Sequence, residues 1–526
     1  MISESLIHCR RRTVMFLTQF IHRSLRESPG RPMTVFGDRT FSTTESADRV
    51  ARLANGLGTG TGDCVSLLSL NSDRCHETIL AGWWSGATVS PLNSRWTAPE
   101  IAFALEDSGS TILIVDENSA PLVPELRELC PTLDRVVYAG SGAVPTGMID
   151  YDRLIAESEP VPDLRIGDDA VALLLYTGGT TGRPKGVMVS HKGLMTSTFG
   201  TLAAGKPAIA DGVNLLANPL FHIAGIASWM AQNLMGGTQV FLPVFSARAM
   251  LEAIDRHRPT TVGVVPTMLH MLVAADDLDS YDRSSVQVVR YGASPISPAL
   301  LERAMEVFPH SGFTQGYGMT ETAHITVLSA ADHLKGGELL RSAGRALPHC
   351  EVRIVDPAGN EAPTGTVGEI VTRGDHLMLG YRNLPAETAE ALAGGWMHTG
   401  DAGYLDERGY LFIVDRIKDM IITGGENVYS TEVENALARH SAVAACSVVG
   451  VRDPKWGERV HAVVVLHPGV HVEFEELRDH VKSLVSAYKA PRSMQFVDAL
   501  PLSAAGKVLK RDLRIAAEAE GAITSR

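Results

Sequence analysis

The 526-residue sequence has no apolar run approaching the roughly 18 residues that a membrane-spanning helix needs, so no transmembrane segment is expected. It has no excess of positive charge either: 47 Lys and Arg against 60 Asp and Glu leave a formal net charge of −13. Bulk charge therefore gives no attraction to nucleic acid or anionic lipid, and neither is an expected partner. Cysteine is sparse. Cys9, Cys64, Cys75, Cys130, Cys350 and Cys446 are scattered, with no CxxC pair and no ligand-like spacing to histidine. A disulfide framework and a structural zinc are both excluded as expectations, and a reducing cytoplasm is the expected compartment. The N-terminal Arg10-Arg11-Arg12 and the apolar stretch from Val14 to Ile21 imitate a twin-arginine signal. Gln19 and His22 interrupt that stretch and no small-residue cleavage site follows, so the expectation is an unprocessed chain in which Met15 is an alternative start. No repeat of fixed period and no low-complexity linker occurs.

With 45% hydrophobic and 20% charged residues, the composition is that of a globular chain, and its length asks for several domains. From Asp63 to about Pro309 short apolar runs alternate with helical patterns: Val65 to Leu70, Cys75 to Ser85, Thr111 to Val115, Val171 to Leu175, Val262 to Val265 and Val286 to Tyr291. This texture predicts βα layers around largely parallel sheets. Between Glu351 and Thr372, two alternating runs bracket the turn signals Pro357-Ala358-Gly359 and Pro363-Thr364-Gly365, predicting a small antiparallel β module. After Arg416 comes a small α+β domain: a strand at Met420 to Thr423, a Gly-Gly loop, a helix opened by a capping box at Thr431-x-x-Glu434, and strands near Ser447 and Val463. The expected division is 1–416 and 417–526. The fold class is α/β, with a large N-terminal domain and a small mobile α+β C-terminal domain, joined at the short charged segment Arg416-Ile417-Lys418-Asp419.

The segment Tyr176-Thr-Gly-Gly-Thr-Thr-Gly-Arg-Pro-Lys-Gly186 packs four glycines and three threonines into eleven residues after a buried strand. Backbone N–H groups and hydroxyls at this density wrap a polyphosphate, and Lys185 adds a mobile charge. It is not a Walker A loop, which places Gly before the Lys, Ser or Thr after it, and then opens a helix. Here Pro184 precedes Lys185, Gly186 follows, and Val187-Met188-Val189 reads as a second strand.

That loop resembles the phosphate loop of the adenylate-forming superfamily, which includes acyl-CoA synthetases, adenylation domains and firefly-type luciferases. Further segments match in family order: Gln315-Gly-Tyr-Gly-Met-Thr-Glu-Thr322, Thr399-Gly400-Asp401, Asp415-Arg416-Ile417-Lys418-Asp419, Gly424-Gly425-Glu426-Asn427 and Pro501-Leu-Ser-Ala-Ala-Gly-Lys507. The resemblance implies an acyl-CoA synthetase of the fatty-acid ligase type, using ATP, Mg²⁺ and coenzyme A. A carboxylate is a poor electrophile. Attack on the α-phosphate of ATP converts it into an acyl adenylate with AMP as leaving group, after which a thiol can take the acyl group. Both first-step reactants are anions, so the site must neutralise charge and align them.

By the same resemblance, Thr177, Gly178, Gly179, Thr180, Thr181, Gly182 and Lys185 hold the β- and γ-phosphates, and Glu321 binds Mg²⁺. Gly292, Ala293, Ser294, Gln315, Gly316, Tyr317, Gly318 and Thr320 surround the nucleotide. Asp401 accepts from the ribose hydroxyls and Arg416 contacts the ribose. Lys507 bridges the carboxylate and the α-phosphate, with Lys510 as a decoy three residues on. Lys418 is the hinge about which the small domain rotates, exchanging the Lys507 face for the Gly424, Gly425 and Glu426 face that shapes the CoA tunnel; Lys489 is a further CoA contact. The acyl pocket is expected to involve His222, Gly225, Val265, Gly292, Gly316, Gly318 and Met319. Its small residues suggest an open apolar channel with no evident charge to pair with an ammonium, favouring fatty or aryl acids over α-amino acids, and Gly318 favours a chain, of medium or long length, over a fixed ring.

Three departures from the family pattern stand out: Gly178 where Ser is usual, Ser430 where Pro is frequent, and a shortened Asn55-Gly-Leu-Gly-Thr-Gly-Thr-Gly62. Aryl-acid CoA ligation, loading of an acyl carrier protein acting in trans, and an inactive nucleotide-binding scaffold are the competing functions. A homodimer is a further expected partner state.

Overall fold

The computed structural model describes residues 15–177, 183–205, 208–502 and 508–524. Two large sheets dominate the N-terminal region. The first has eight strands, running in spatial order from Gly380–Tyr381 through Lys185–Ser190, Val171–Thr177, Thr88–Pro91, Cys64–Leu68, Ile112–Val115 and Arg135–Tyr138 to Ile149–Asp150. The second has nine, with Gly312–Met319, Val288–Gly292, Thr261–Val264 and Val213–Leu216 adjacent in its middle. Both are parallel inside and antiparallel at edges. Parallel strands need coverage on both faces, and their near-continuous Val, Ile and Leu runs reflect it.

The helices Asp73–Trp84 and Ile223–Leu234 sit in the core that joins the two sheets. Trp83 and Trp229 meet at 5.6 Å between ring centroids, and one apolar cluster collects Val65, Leu67, Leu173, Leu216 and Phe241 around them. Every residue of Asp73–Trp84 is buried, including Asp73, Arg74, His76 and Glu77. Arg39 pairs with Asp73 and Arg49 with Glu77, so the buried charges have partners. The shortened glycine-rich segment does not loosen this region: Thr43–Leu57 ends in Gly58 at φ 64°, a left-handed C-cap, with Leu57 fully buried.

The expected hairpin module is a four-stranded antiparallel sheet. Glu351–Val355 and Gly368–Arg373 pair as predicted, and Met397–Leu405 and Leu411–Arg416 extend them. The chain leaves this sheet at Arg416, makes a single 3₁₀ turn at Ile417–Asp419, and enters the C-terminal sheet at Ile421–Thr423. Helices Ser430–Leu437 and Phe474–Leu484 cover one face of that sheet, and Lys510–Thr524 packs Leu513 and Ala517 on the other.

The capping box expected at Thr431-x-x-Glu434 is absent. The helix begins two residues earlier than that box requires, at Ser430, with Tyr429 as its N-cap residue. The Thr431 hydroxyl donates instead to the Val414 carbonyl, while Glu434 accepts from the Val448 N–H and pairs with Lys510. The cap comes from another segment: Asp415 accepts from the N–H and hydroxyl of Ser430 and from the N–H of Thr431. A carboxylate at that end is favourable because it faces unsatisfied N–H groups and the positive end of the helix dipole.

Candidate active site

The strands Val171–Thr177 and Lys185–Ser190 form an antiparallel pair whose last register match is Thr177 with Lys185. The phosphate-loop residues Gly178, Gly179, Thr180, Thr181 and Gly182 lie outside the described residues, as do Lys507 and Cys9. Lys185 projects from the start of its strand so that Nζ lies 4.8 Å from the centroid of the Tyr381 ring. Tyr381 belongs to the neighbouring edge strand, in register with Val187. Its hydroxyl donates to Glu321 Oε1 at 2.8 Å.

Glu321 sits in the turn between Gly312–Met319 and Ala323–Leu328, following Thr320, and is only 7% exposed. Its carbonyl accepts from the Met378 N–H at 2.8 Å, which fixes the turn. Burial raises the pKa of its carboxyl, while the Tyr381 hydrogen bond and the charges of Arg416 and Lys185 act in the opposite direction. A buried carboxylate with a donor on one oxygen and a lysine nearby is a donor set that fits a hard divalent cation shared with phosphate oxygens.

A second cluster lies on the adjoining sheet edge. Asp401 and Arg416 are register partners, and Asp401 Oδ1 accepts from Arg416 Nε at 2.8 Å. Its Oδ2 accepts from the Tyr317 hydroxyl at 2.7 Å. Burial, then the Asp401 charge, lift the Tyr317 phenol well above its ordinary pKa, so it stays a neutral donor. Carboxylate oxygens take more than one donor each, and Asp401 keeps capacity for two more hydroxyls. Gln315 and Gly316 precede Tyr317 on its strand and are in register with Tyr291 and Gly292. Beyond Gly292, Ala293 adopts φ 69°, a left-handed conformation unusual for alanine that turns the chain sharply before Ser294.

The glycines expected around the acid are closely packed on their Cβ side. A Cβ at Gly225 would lie 2.2 Å from the Pro219 carbonyl oxygen, one at Gly292 2.4 Å from the Gly316 oxygen, and one at Gly318 1.7 Å from the Ala323 oxygen. These glycines let backbones approach one another. A Cβ at Gly316 would meet the His324 ring at 2.9 Å. His222 is the N-cap residue of Ile223–Leu234 and stacks edge-on against Phe221, Val265 is the N-cap residue of Pro266–Val273, and Met319 is half-buried against the main core. Arg290, from the middle of Val288–Gly292, is half-buried beside His324.

In the C-terminal region, Gly424 and Gly425 form the turn between Ile421–Thr423 and Glu426–Val428 with φ 63° and 84°, and Glu426 is exposed. A Cβ at Gly424 would lie 2.9 Å from Trp456, whose other side carries Arg492 at 4.4 Å. Lys489 is engaged by both oxygens of Glu432, at 2.7 and 2.8 Å. Lys418 stands exposed next to Arg416, and partial desolvation, then the Arg416 charge, lower its pKa. Lys510, the decoy, is a structural residue: it pairs with Glu434 at 2.9 Å and donates to the Ser430 hydroxyl.

Sequence reading passed over Tyr381, Arg290, His324 and Trp456. Gly380-Tyr381 offers a weak signal in sequence, a glycine before an aromatic ring, and Trp456 likewise precedes a glycine, Gly457.

Residues 21–382 match the family of AMP-binding enzymes and residues 432–507 match the AMP-binding enzyme C-terminal domain. The feruloyl-CoA synthase of an Amycolatopsis species is 39% identical over 496 residues, spanning 94% of this chain and 97% of that protein. The fatty acid–[acyl-carrier-protein] ligase ScoC of Streptomyces coeruleorubidus is 36% identical over 519 residues, 97% of this chain and 98% of its own. Among solved structures, the o-succinylbenzoate CoA synthetase MenE of Bacillus subtilis, in complex with its acyl-adenylate intermediate, superposes with a TM-score of 0.82. It shares 32% identity across 94% of this chain and 97% of that one.

Proposed function

The chain belongs to the AMP-binding enzyme family, and from that premise we propose how its residues divide the work of an ATP-dependent acid–thiol ligase and which acid it takes. The reaction class is AMP-forming: a carboxylic acid is activated as an acyl adenylate with release of pyrophosphate, and the acyl group passes to CoA as a thioester with release of AMP. The observation that carries the division of roles is the convergence of Lys185 and Glu321 on Tyr381, beside the Tyr317–Asp401–Arg416 cluster. One group brings a cation and a buried carboxylate to the end of the phosphate loop; the other offers a carboxylate with free lone pairs.

Lys185 and the loop before it hold the β- and γ-phosphates. Glu321 holds Mg²⁺, which when bound supplies positive charge to the phosphate oxygens. Tyr381 keeps the Glu321 carboxylate oriented. Asp401 accepts from the ribose hydroxyls, and Arg416 and the neutral Tyr317 fix its orientation from two sides. Lys507 supplies the mobile charge for the α-phosphate and the attacking carboxylate. Preorganised donors and cations of this kind lower the barrier because they need no rearrangement as charge develops.

For the acid we propose an extended chain rather than a fixed ring, since the His324 ring stands 2.9 Å from where a Cβ on Gly316 would lie and leaves little width there. Pyrophosphate release across a panel of chain and aryl acids, with and without CoA, tests the reading. Chain acids should release pyrophosphate and give a thioester only with CoA. Acid-dependent pyrophosphate release with no thioester would transfer the second step to a carrier protein acting in trans, and preference for aryl acids would overturn the chain assignment.

A further inference from the structure

Arg290 is half-buried, and its guanidinium has no counter-charge among the described residues. It projects from Val288–Gly292 on the face it shares with Gly292, since side chains two apart on a strand point the same way. One nitrogen, Nη2, donates to Asn214 Oδ1 at 2.9 Å and to the Ser228 hydroxyl. Both acceptors are neutral. Among the described residues no carboxylate lies within ion-pair distance, and Nε–H is buried with no acceptor. Burial alone lowers the Arg290 pKa, to about 10, so the group stays charged at neutral pH.

Beside it lies the narrow cavity, walled by Ser197 and Thr201 of His191–Gly205, Ala227 and Ala231 of Ile223–Leu234, Arg290 and His324. Its volume of about 20 Å³ has room for about one water molecule or one small polar group. The hydroxyls of Thr201 and Thr198 donate to carbonyls of their own helix, at 2.7 Å each. His324 is held neutral, its pKa lowered to about 4 by burial and by Arg290. The guanidinium is thus the strong donor facing this space. His324 is also the ring that lies against Gly316, so the cavity adjoins the strand carrying Gln315, Gly316 and Tyr317.

An uncompensated buried cation is costly, and a buried charged donor without an acceptor adds to that cost. A partner that arrives with the substrate removes both. We propose that Arg290 reads the far end of the acid: the substrate carries a second carboxylate, or a carbonyl oxygen in its place, that enters this cavity and accepts from Arg290. The proposal rests on the acid–thiol ligase reading and narrows its substrate class to oxygen-tipped acids.

The test compares an alkanoic acid, the ω-oxo acid and the α,ω-dicarboxylic acid of equal length, for the intact enzyme, Arg290→Met and Arg290→Lys. Wild type should favour an oxygen-tipped acid over the plain one by tenfold or more in kcat/KM for pyrophosphate release, a factor expected for a charged hydrogen bond. Arg290→Met should collapse that ratio to about twofold, and Arg290→Lys should retain part of it. Stabilisation of each variant against heat by ATP confirms that the fold and nucleotide site persist. The dicarboxylate and oxo arms separate charge from hydrogen bonding. An equal loss across all acids in Arg290→Met, or a wild-type preference for the plain acid, would make Arg290 a structural tie between strand and helix and overturn the inference. No pyrophosphate release with any acid would reject the ligase reading itself.

Discussion

Tyr381 ties two distant parts of the sequence together. Its ring faces Lys185 and its hydroxyl donates to Glu321, yet these partners are 196 and 60 positions away in sequence. Tyr381→Phe keeps the ring and removes the donor. The Glu321 carboxyl already has a raised pKa, because burial disfavours its charged form. Metal binding requires that charged form. Acidification therefore removes it at a higher pH than for an ordinary glutamate, and Mg²⁺ competes with the proton. Loss of the Tyr381 donor raises the pKa further. Pyrophosphate release by Tyr381→Phe should fall by about tenfold, with its acid limb moved to higher pH and moved back by added Mg²⁺. A pH profile at two Mg²⁺ concentrations checks this; an unshifted limb would separate Tyr381 from the metal site.

At the scale of elements, the parallel layers were legible because buried strands leave continuous apolar runs such as Val171 to Leu175, and helix Asp73–Trp84 followed from its spacing. The nucleotide motifs were legible because each is contiguous. What sequence could not supply were contacts between segments. The capping box at Thr431 failed because Asp415, from the preceding sheet, competes for the same N–H groups. The small residues near the expected acid site say nothing in sequence of what they meet, and a Cβ there would meet neighbouring backbones or the His324 ring. Lys510 reads in sequence only as a decoy for Lys507 because Glu434, its partner, lies on a different helix. Removing Lys510 leaves Glu434 partly buried without its cation. Lys510→Ala should destabilise the C-terminal region by about 2 kcal/mol, seen as earlier thermal unfolding. At low temperature the ratio of adenylation to thioester formation should stay the same. A selective loss of adenylation would instead give Lys510 the part assigned to Lys507.

The whole molecule must serve two reactions with one acid site, and the place where it can turn is short. Between the last residue of Leu411–Arg416 and the first of Ile421–Thr423 stands only the 3₁₀ turn Ile417–Asp419 with Met420. Arg416 is anchored on Asp401, so torsional freedom is concentrated at Ile417, Lys418 and Asp419. Proline at 418 fixes its own φ and restricts Ile417 before it. Lys418→Pro should therefore slow thioester formation from supplied acyl adenylate by more than it slows pyrophosphate release. Lys507→Ala should do the reverse, abolishing acyl-adenylate formation while sparing transfer from supplied acyl-AMP to CoA, because its charge is needed only while the α-phosphate is attacked. The two variants measured in both half-reactions give a crossed pattern if the C-terminal domain alternates between two faces. Parallel losses in both half-reactions, for both variants, would mean that one fixed arrangement serves the whole reaction.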